Sequence, residues 1–532
     1  MRLKHTLQLF TILILSLALT ACGSDSSSDK TKKENAEAVE KQTGGILDVA
    51  YNSEPDTLDL MSNASSPTRD IAWHIFETLV ALDKNFAVKP MIAEDYSVSD
   101  DQKDYIFSIR KNVNFHDGTT VSAEDVVASI KRWRLVSSVG KTASQYIEKV
   151  KALDDLTVEI TLNQVYNGFL DDLAAPKTGL VIIPKEIAEE AGEKPLIPEQ
   201  LIGTGPYKFE KWDRGSEIVL TKFDDYSKRE ETDWGGLTGK KEANLDQINF
   251  KIVKDPQVKL NGLKTDLYDY AQAIPTDLYE VIEKTPNTKA VTYINGYTML
   301  IPDKSEPPFD DLKVRQALQY ALNKEEIAQS TYGNKEFYKM DGALFDPIQT
   351  ELYTDKGTDS YLAYDKEKAK KLLQDSSYNN EPITIMYSND NEWYKRISQM
   401  AEKQLEEVGF TVELEPYEWA TYLEKWEDAS NWDIVTIGYS TRFSPNELGF
   451  LVLDKSSSGW YNSERWSKLM EQWGLAASSE ERQQILAEMN QTVYDELPFI
   501  KIANETTLDI MSDEIQGFDS WIGPRFWNIS KK

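Results

Sequence analysis

Apolar positions in this chain recur with two periods, every second residue or every third to fourth, and the two kinds of stretch alternate from residue 45 onward. Ile46-Leu47-Asp48-Val49-Ala50-Tyr51 has the period of a strand, and Pro55 and Asp56 then turn the chain. Ser66-Pro67-Thr68-Arg69 predicts a helix start, with Ser66 as cap and Pro67 in the first helical position. That helix should carry Ile71, Trp73, His74 and Phe76 toward Leu82. Tyr105 to Arg110 alternates as another strand, and Phe115-His116-Asp117-Gly118 reads as a turn. Ser122-Ala123-Glu124-Asp125 opens a second helix with a capping pattern, running through Val126, Val127 and Ile130 to Trp133. Leu156–Leu162 and Ile218–Phe223 are further strands. Strands and helices continue to alternate, without a fixed-period repeat, which predicts an α/β fold with mixed sheets.

The N-terminus breaks this pattern. After Arg2, Lys4 and His5, residues Leu7 to Leu19 form an apolar run of about 13 residues, short of the roughly 20 that span a bilayer. This is the layout of a signal peptide over residues 1–21. It ends in Leu19-Thr20-Ala21-Cys22, which resembles a bacterial lipobox, and Cys22 is the single cysteine of the chain. A thiol there is the nucleophile that takes a diacylglyceryl group, and acyl chains of that kind hold a soluble domain on a membrane. Residues 22–44 are polar and cannot bury a core, so they should form a flexible tether.

Charge narrows the partners. The chain has 59 Lys and Arg against 89 Asp and Glu, a formal net charge of −30. Removal of the signal peptide takes away Arg2 and Lys4 and no acid. Nucleic acid and anionic membrane surfaces are thereby disfavoured as electrostatic partners. The length calls for more than one folding unit. Seven of the 13 Trp lie between Trp393 and Trp473, a density that suits either an amphipathic pocket wall or strand–helix packing.

Five stretches carry a resemblance. They are Gly45-Ile46-Leu47 leading to Pro55 and Leu58-Asp59; Phe107 to Gly118 continuing into Ser122-Ala123-Glu124-Asp125-Val126; Gly203-Thr204-Gly205-Pro206-Tyr207; Pro307 to Ala317; and Glu496-Leu497-Pro498-Phe499-Ile500. Together, and in this order, they resemble the substrate-binding lipoproteins of ABC importers, the peptide/nickel-binding family (bacterial extracellular solute-binding protein family 5). The resemblance implies a two-lobed, periplasmic-binding-protein-like fold of type II in its large form. Residues 45–295 plus 500–532 would make the first lobe, with an inserted subdomain about 76–199, and 296–499 the second. A hinge near Asn295 and Gly296 would let a ligand select the closed state. The implied partners are a small-molecule or short-peptide ligand and ABC permease subunits, with the membrane reached through the lipid anchor and the chain a monomer.

Catalytic chemistry finds no support in the residues. Gly438-Tyr439-Ser440-Thr441-Arg442 lacks the second glycine of a nucleophile elbow, and Gly235 to Lys241 lacks the phosphate-loop spacing. Of the three histidines, His5 leaves with the signal peptide, His74 should be packed on an apolar helix, and His116 should serve local hydrogen bonds in its turn. No metal site and no cofactor are indicated.

In peptide-binding members of that family, a strand after a Trp-Asp-Ile-like run ends in a Gly-Trp-x-x-Asp-Tyr loop whose aspartate receives the peptide α-ammonium. Here the strand is Asp433 to Ile437, and the loop reads Gly438-Tyr439-Ser440-Thr441-Arg442-Phe443-Ser444-Pro445, with Arg442 at the aspartate position. A buried cation there repels an ammonium and attracts a carboxylate or phosphate. Arg442 faces the cleft, or it turns outward or pairs with Glu447. By the same analogy the ligand-binding candidates are Tyr51, Arg134, Trp419, Tyr439, Thr441, Arg442, Phe443, Trp460 and Tyr461. The ligand is then a peptide-like solute. The alternatives are a carboxylate-rich molecule or metal chelate of nickel or metallophore type, and a sensor that presents its ligand to a signalling partner.

Overall fold

The computed structural model describes residues 44–426, 428–448, 451, 461–476 and 478–532. Cys22 and Trp460 lie outside the described residues.

The fold is organised by two long antiparallel strands, Thr288–Pro302 and Ile500–Ser512, paired from Thr288 opposite Ser512 to Leu300 opposite Ile500. They lie at the centre of one mixed sheet of eleven described strands. On one flank of this pair come Tyr270–Ala271, Ile46–Tyr51, Gln247–Ile252, Glu217–Lys222 and Tyr207–Asp213. The other flank carries Ile434–Tyr439, Pro382–Ser388 and Thr411–Tyr417. The flanks use different lengths of the long pair. Ile434–Tyr439 pairs with Tyr297–Pro302, whereas Tyr270–Ala271 pairs with Ile510 and Met511. Each flank is therefore one lobe, and the long strands cross between them.

The crossing point is a bulge. Register slips between Ile294 and Tyr297, and Gly296 sits there at φ +102°. A Cβ on Gly296 would lie 1.8 Å from the Tyr439 carbonyl oxygen, so no side chain fits. Beyond the bulge, side chains alternate between two cores. Tyr297, Met299 and Ile301 pack with Trp432, Trp466 and Trp473, and Leu300 packs with Ile385, Ile397 and Ile500. Truncating Met299, which is fully buried, should cost about 2–5 kcal/mol. Trp432, Trp466 and Trp473 are thus core residues of the second lobe, not pocket wall.

The first lobe carries a four-stranded antiparallel sheet, in the order Ala93–Val98, Asp104–Ile109, Thr157–Leu162, Ile147–Asp154. The helix Ala123–Val136 packs on it through Val126, Ile130 and Trp133. Its start is as the sequence predicts: the Asp125 carboxylate accepts from the Ser122 amide (2.8 Å) and hydroxyl (2.6 Å).

The first predicted helix differs. It spans Ser66–Ala72, capped by Ser65 instead of Ser66, and stops well short of Leu82. Residues beyond Ala72 give their carbonyls to another segment: Gly205 N donates to Ile75 O (2.9 Å) and Tyr207 N to His74 O (3.0 Å). That approach requires glycine, since a Cβ on Gly203 would lie 2.1 Å from Ile75 O and one on Gly205 2.4 Å from His74 O. His116 locks the same segment, its Nε2 donating to Gly205 O (3.0 Å) and its Nδ1 accepting from Gly203 N (3.2 Å). His74 is fully buried and accepts a hydrogen bond from Phe526 N (3.0 Å). Burial holds the imidazole of His74 down to about 3 and that of His116 down to about 4, so both are neutral at physiological pH.

Among the described residues no helix is long and apolar enough to cross a membrane.

Candidate functional site

A cavity of about 1030 Å³ opens beside the bulge, on one face of the long strands. Its walls come from both lobes. Ala273 to Asp277 belong to the first-lobe segment that follows the strand Tyr270–Ala271. Trp393 and Tyr394 come from the start of the second-lobe helix Glu392–Glu406, and Trp419 and Leu423 from the helix Trp419–Trp426. The end of the strand Ile434–Tyr439 adds Gly438, Tyr439 and, in the loop after it, Ser440 and Arg442. Asn295, Glu505 and Thr507 form the floor on the crossing strands. A smaller depression, about 630 Å³ between Lys264 and Asn287, is walled by the first lobe alone.

The lobes touch at Ser440, which lines this cavity, and at residues outside its wall. Lys177 Nζ donates to Ser440 Oγ (3.1 Å), and Asn446 Nδ2 donates to the Tyr166 hydroxyl (3.0 Å). Asn167 N donates to Gly474 O (2.9 Å), and Arg482 pairs with Asp171 at 3.2 Å. Phe443 is buried and stacks on Phe86, ring centroids 6.0 Å apart. Side chains of the two lobes are thus in direct contact.

Arg442 lines the cavity. Its guanidinium carbon lies 4.7 Å from the centre of the Tyr439 ring, a cation–π distance. Gln349 Nε2 donates to its carbonyl (2.7 Å), which fixes the loop. Its Nε is buried with no hydrogen-bond partner among the described residues, and no ion pair within 4 Å joins it to Glu447 there. Glu447 instead accepts from Phe443 N (3.1 Å), and burial pushes its carboxyl above the usual range against the pull of Arg442. Burial first, and then the charges of Arg69 and Arg442, lower the Lys177 ammonium to about 7. The loop that carries Arg442 is thus poor in compensating anions, so an anionic group entering it meets a cation with spare donors.

The structure brings Trp419, Tyr439 and Arg442 of the sequence candidates to the cavity. Trp419 is 43% exposed and stacks on Tyr422. It does not bring the others there. Tyr51 is buried inside the first lobe, its hydroxyl donating to Asp70 (2.7 Å). Its side chain points into the core because strand parity at position 51 matches that of Leu47 and Val49. Arg134 bonds Ser144 Oγ (2.7 Å) within the inserted sheet-and-helix layer. Tyr461 is buried in the second lobe with its hydroxyl on Glu496 (2.6 Å). Thr441 and Phe443 are buried beneath the loop, Phe443 in the contact with Phe86.

Glu505, which the sequence reasoning missed, sits on the cavity floor at 8% exposure. Burial pushes its carboxyl up to about 8. No local signal marks it, since the run Ile500 to Ile510 also carries Lys501, Asn504 and Asp509.

Comparison with known proteins gives the following. The profile of bacterial extracellular solute-binding proteins, family 5 (middle), matches residues 87–462. A probable peptide ABC transporter periplasmic-binding protein, y4tO of Sinorhizobium fredii, is 27% identical over 89% of this chain and 91% of its own. The oligopeptide-binding protein AppA of Bacillus subtilis is 25% identical, over 100% of this chain and 99% of its own. Among solved structures, the ABC transporter substrate-binding protein CtaP of Listeria monocytogenes superposes with a TM-score of 0.78 at 25% identity, covering 89% of this chain and 95% of that one.

Proposed function

Because this chain belongs to the bacterial extracellular solute-binding proteins of family 5, we propose that it is the receptor of an ABC importer that closes on a short peptide or peptide-like solute and delivers it to permease subunits. One observation carries the reading: a cavity of about 1030 Å³ whose walls come from both lobes beside the crossing strands. Such a site ties ligand contact to lobe closure, which is what a delivery receptor needs. The first lobe is residues 45–295 plus 500–532, with an inserted layer about 76–199, and the second is 296–499. The protein acts as a monomer and performs no bond-making step. It is held at the outer face of the membrane by a lipid on Cys22, and residues 22–44 serve as the tether.

The names of the relatives support a peptide-type ligand. Arg442 favours a second reading, a carboxylate-rich solute or metal chelate. Both readings give the guanidinium the same job, holding a carboxylate in a closed cleft where charge pairs are strong. Calorimetric titration of wild type, Arg442→Ala and Arg442→Asp with a mixed dipeptide set tests it. Loss of one partner of a desolvated charge pair typically costs about 2–5 kcal/mol, so Arg442→Ala should weaken binding about 30-fold or more. Dipeptide binding equally tight in wild type and Arg442→Ala would remove Arg442 from the ligand.

A further inference from the structure

The loop position that offers an anion in peptide-binding relatives holds Arg442 here, yet the cavity contains a buried carboxyl group elsewhere. Glu505 lies on the strand Ile500–Ser512, next to Asn504, which pairs with Tyr297 at the bulge. Its carboxylate faces the cavity between Asn295 and Gly438: a Cβ on Gly438 would lie 3.5 Å from Glu505 Oε2 and 3.0 Å from the Tyr394 hydroxyl. More than nine-tenths of Glu505 is buried, and among the described residues its carboxylate has one hydrogen bond, a long one of 3.4 Å from Asn295 Nδ2. No Lys or Arg comes within ion-pair distance of it there. The Tyr394 hydroxyl accepts from Gly438 N (2.8 Å), and no hydrogen bond joins it to Glu505 among the described residues. A buried carboxyl with so few donors is costly to keep unless something positive completes it. Tyr394, beside it at Gly438, and Trp393 in the same cavity wall are aromatic and suit a cation.

We propose that Glu505 is the receptor group for a ligand ammonium, so that the cavity selects solutes carrying a free amino group. The amino-end contact then comes from the crossing strand instead of the Gly438–Pro445 loop. The strand that joins the lobes reports directly on the ligand, and Arg442 is left to meet the carboxylate. This inference rests on the peptide-type reading above and names which end of the solute goes where.

The test is calorimetric titration of the intact mature protein with a dipeptide library and with the same library N-acetylated. Wild type should bind the free library and lose about 30-fold or more on acetylation, the loss typical of an unpaired buried charge. Glu505→Gln should lose a similar factor on the free library and show no preference between the two. Glu505→Asp keeps the charge at shorter reach and should fall between, which decides the matter if the Gln variant does not fold. Equal binding of both libraries by wild type, or undiminished binding by Glu505→Gln, overturns the ammonium assignment and leaves the peptide reading standing. Binding of neither library by wild type overturns both.

Discussion

Replacing Gly296 by alanine should do more damage than the same change at any other described glycine. The residue sits at φ +102°, where an L-residue is strained by about 1–3 kcal/mol. Its new Cβ would lie 1.8 Å from the carbonyl oxygen of Tyr439 and 2.8 Å from Ser440 Cα. Both obstacles are backbone, so neither can rotate away, and relief means moving the Tyr439–Ser440 segment by more than about 1 Å. That shift disrupts the pairing of Tyr297 with Tyr439 and Asn504, at about 0.5–1.5 kcal/mol for each hydrogen bond lost. The sum is about 3 kcal/mol or more, a large part of a typical 5–15 kcal/mol. Because Arg442 is carried by the displaced loop, ligand affinity should fall with stability. Gly474 is the control. It lies near the end of the helix Glu464–Leu475, and a Cβ there meets nothing nearer than 3.9 Å. Gly474→Ala should therefore be neutral or stabilising, by up to about 1 kcal/mol. Urea unfolding followed by tryptophan fluorescence measures both. Equal midpoints for Gly296→Ala and wild type, at unchanged slope, would refute the account of the crossing.

Two further outcomes follow from the same structure. Burial holds Glu505 protonated up to about 8, against an ordinary value of 4.5, so between those pH values the folded state binds more protons than the unfolded one. Its contribution therefore falls as pH rises through that window. Glu505→Gln removes this dependence, and thermal melts from pH 5 to 8.5 should show the variant gaining on wild type by a few kcal/mol, since a tenfold change in proton affinity is worth about 1.4 kcal/mol; parallel curves would exclude a buried carboxyl. Cys22→Ala should release the protein to the medium or leave an unprocessed precursor, and equal incorporation of radioactive fatty acid into both forms would exclude the anchor.

How far the sequence carries this structure varies by element. Ile46–Tyr51 forms where its two-residue alternation puts it, because both its faces and its turn are local features. The helix at Ser122 starts where its capping residues put it for the same reason. The helix at Ser66 is shorter than its sequence pattern suggests because its true end is set by Gly203–Tyr207, more than 100 residues downstream, which takes the carbonyls of His74 and Ile75. No local pattern contains that information. Within the site, Arg442 was legible through the family resemblance, by counting from the loop glycine to the position of the relatives' aspartate. Glu505 was not, since its place on the floor depends on how two distant strands pair across a bulge. Tyr51 and Tyr461 show the opposite failure. An aromatic beside a cleft by position is drawn into the core when an acceptor, the buried Asp70 or the half-buried Glu496, waits for its hydroxyl.

In this reading the two lobes enclose one small solute carrying both an amino and a carboxyl group. Native mass spectrometry of the protein purified without refolding, repeated after incubation with the free dipeptide library, tests it most directly. The expected result is a complex of one protein with one solute, lost on denaturation, whose released solute reacts with an amine reagent. A mass equal to the chain alone under both conditions, or a bound solute with no free amine, would contradict it.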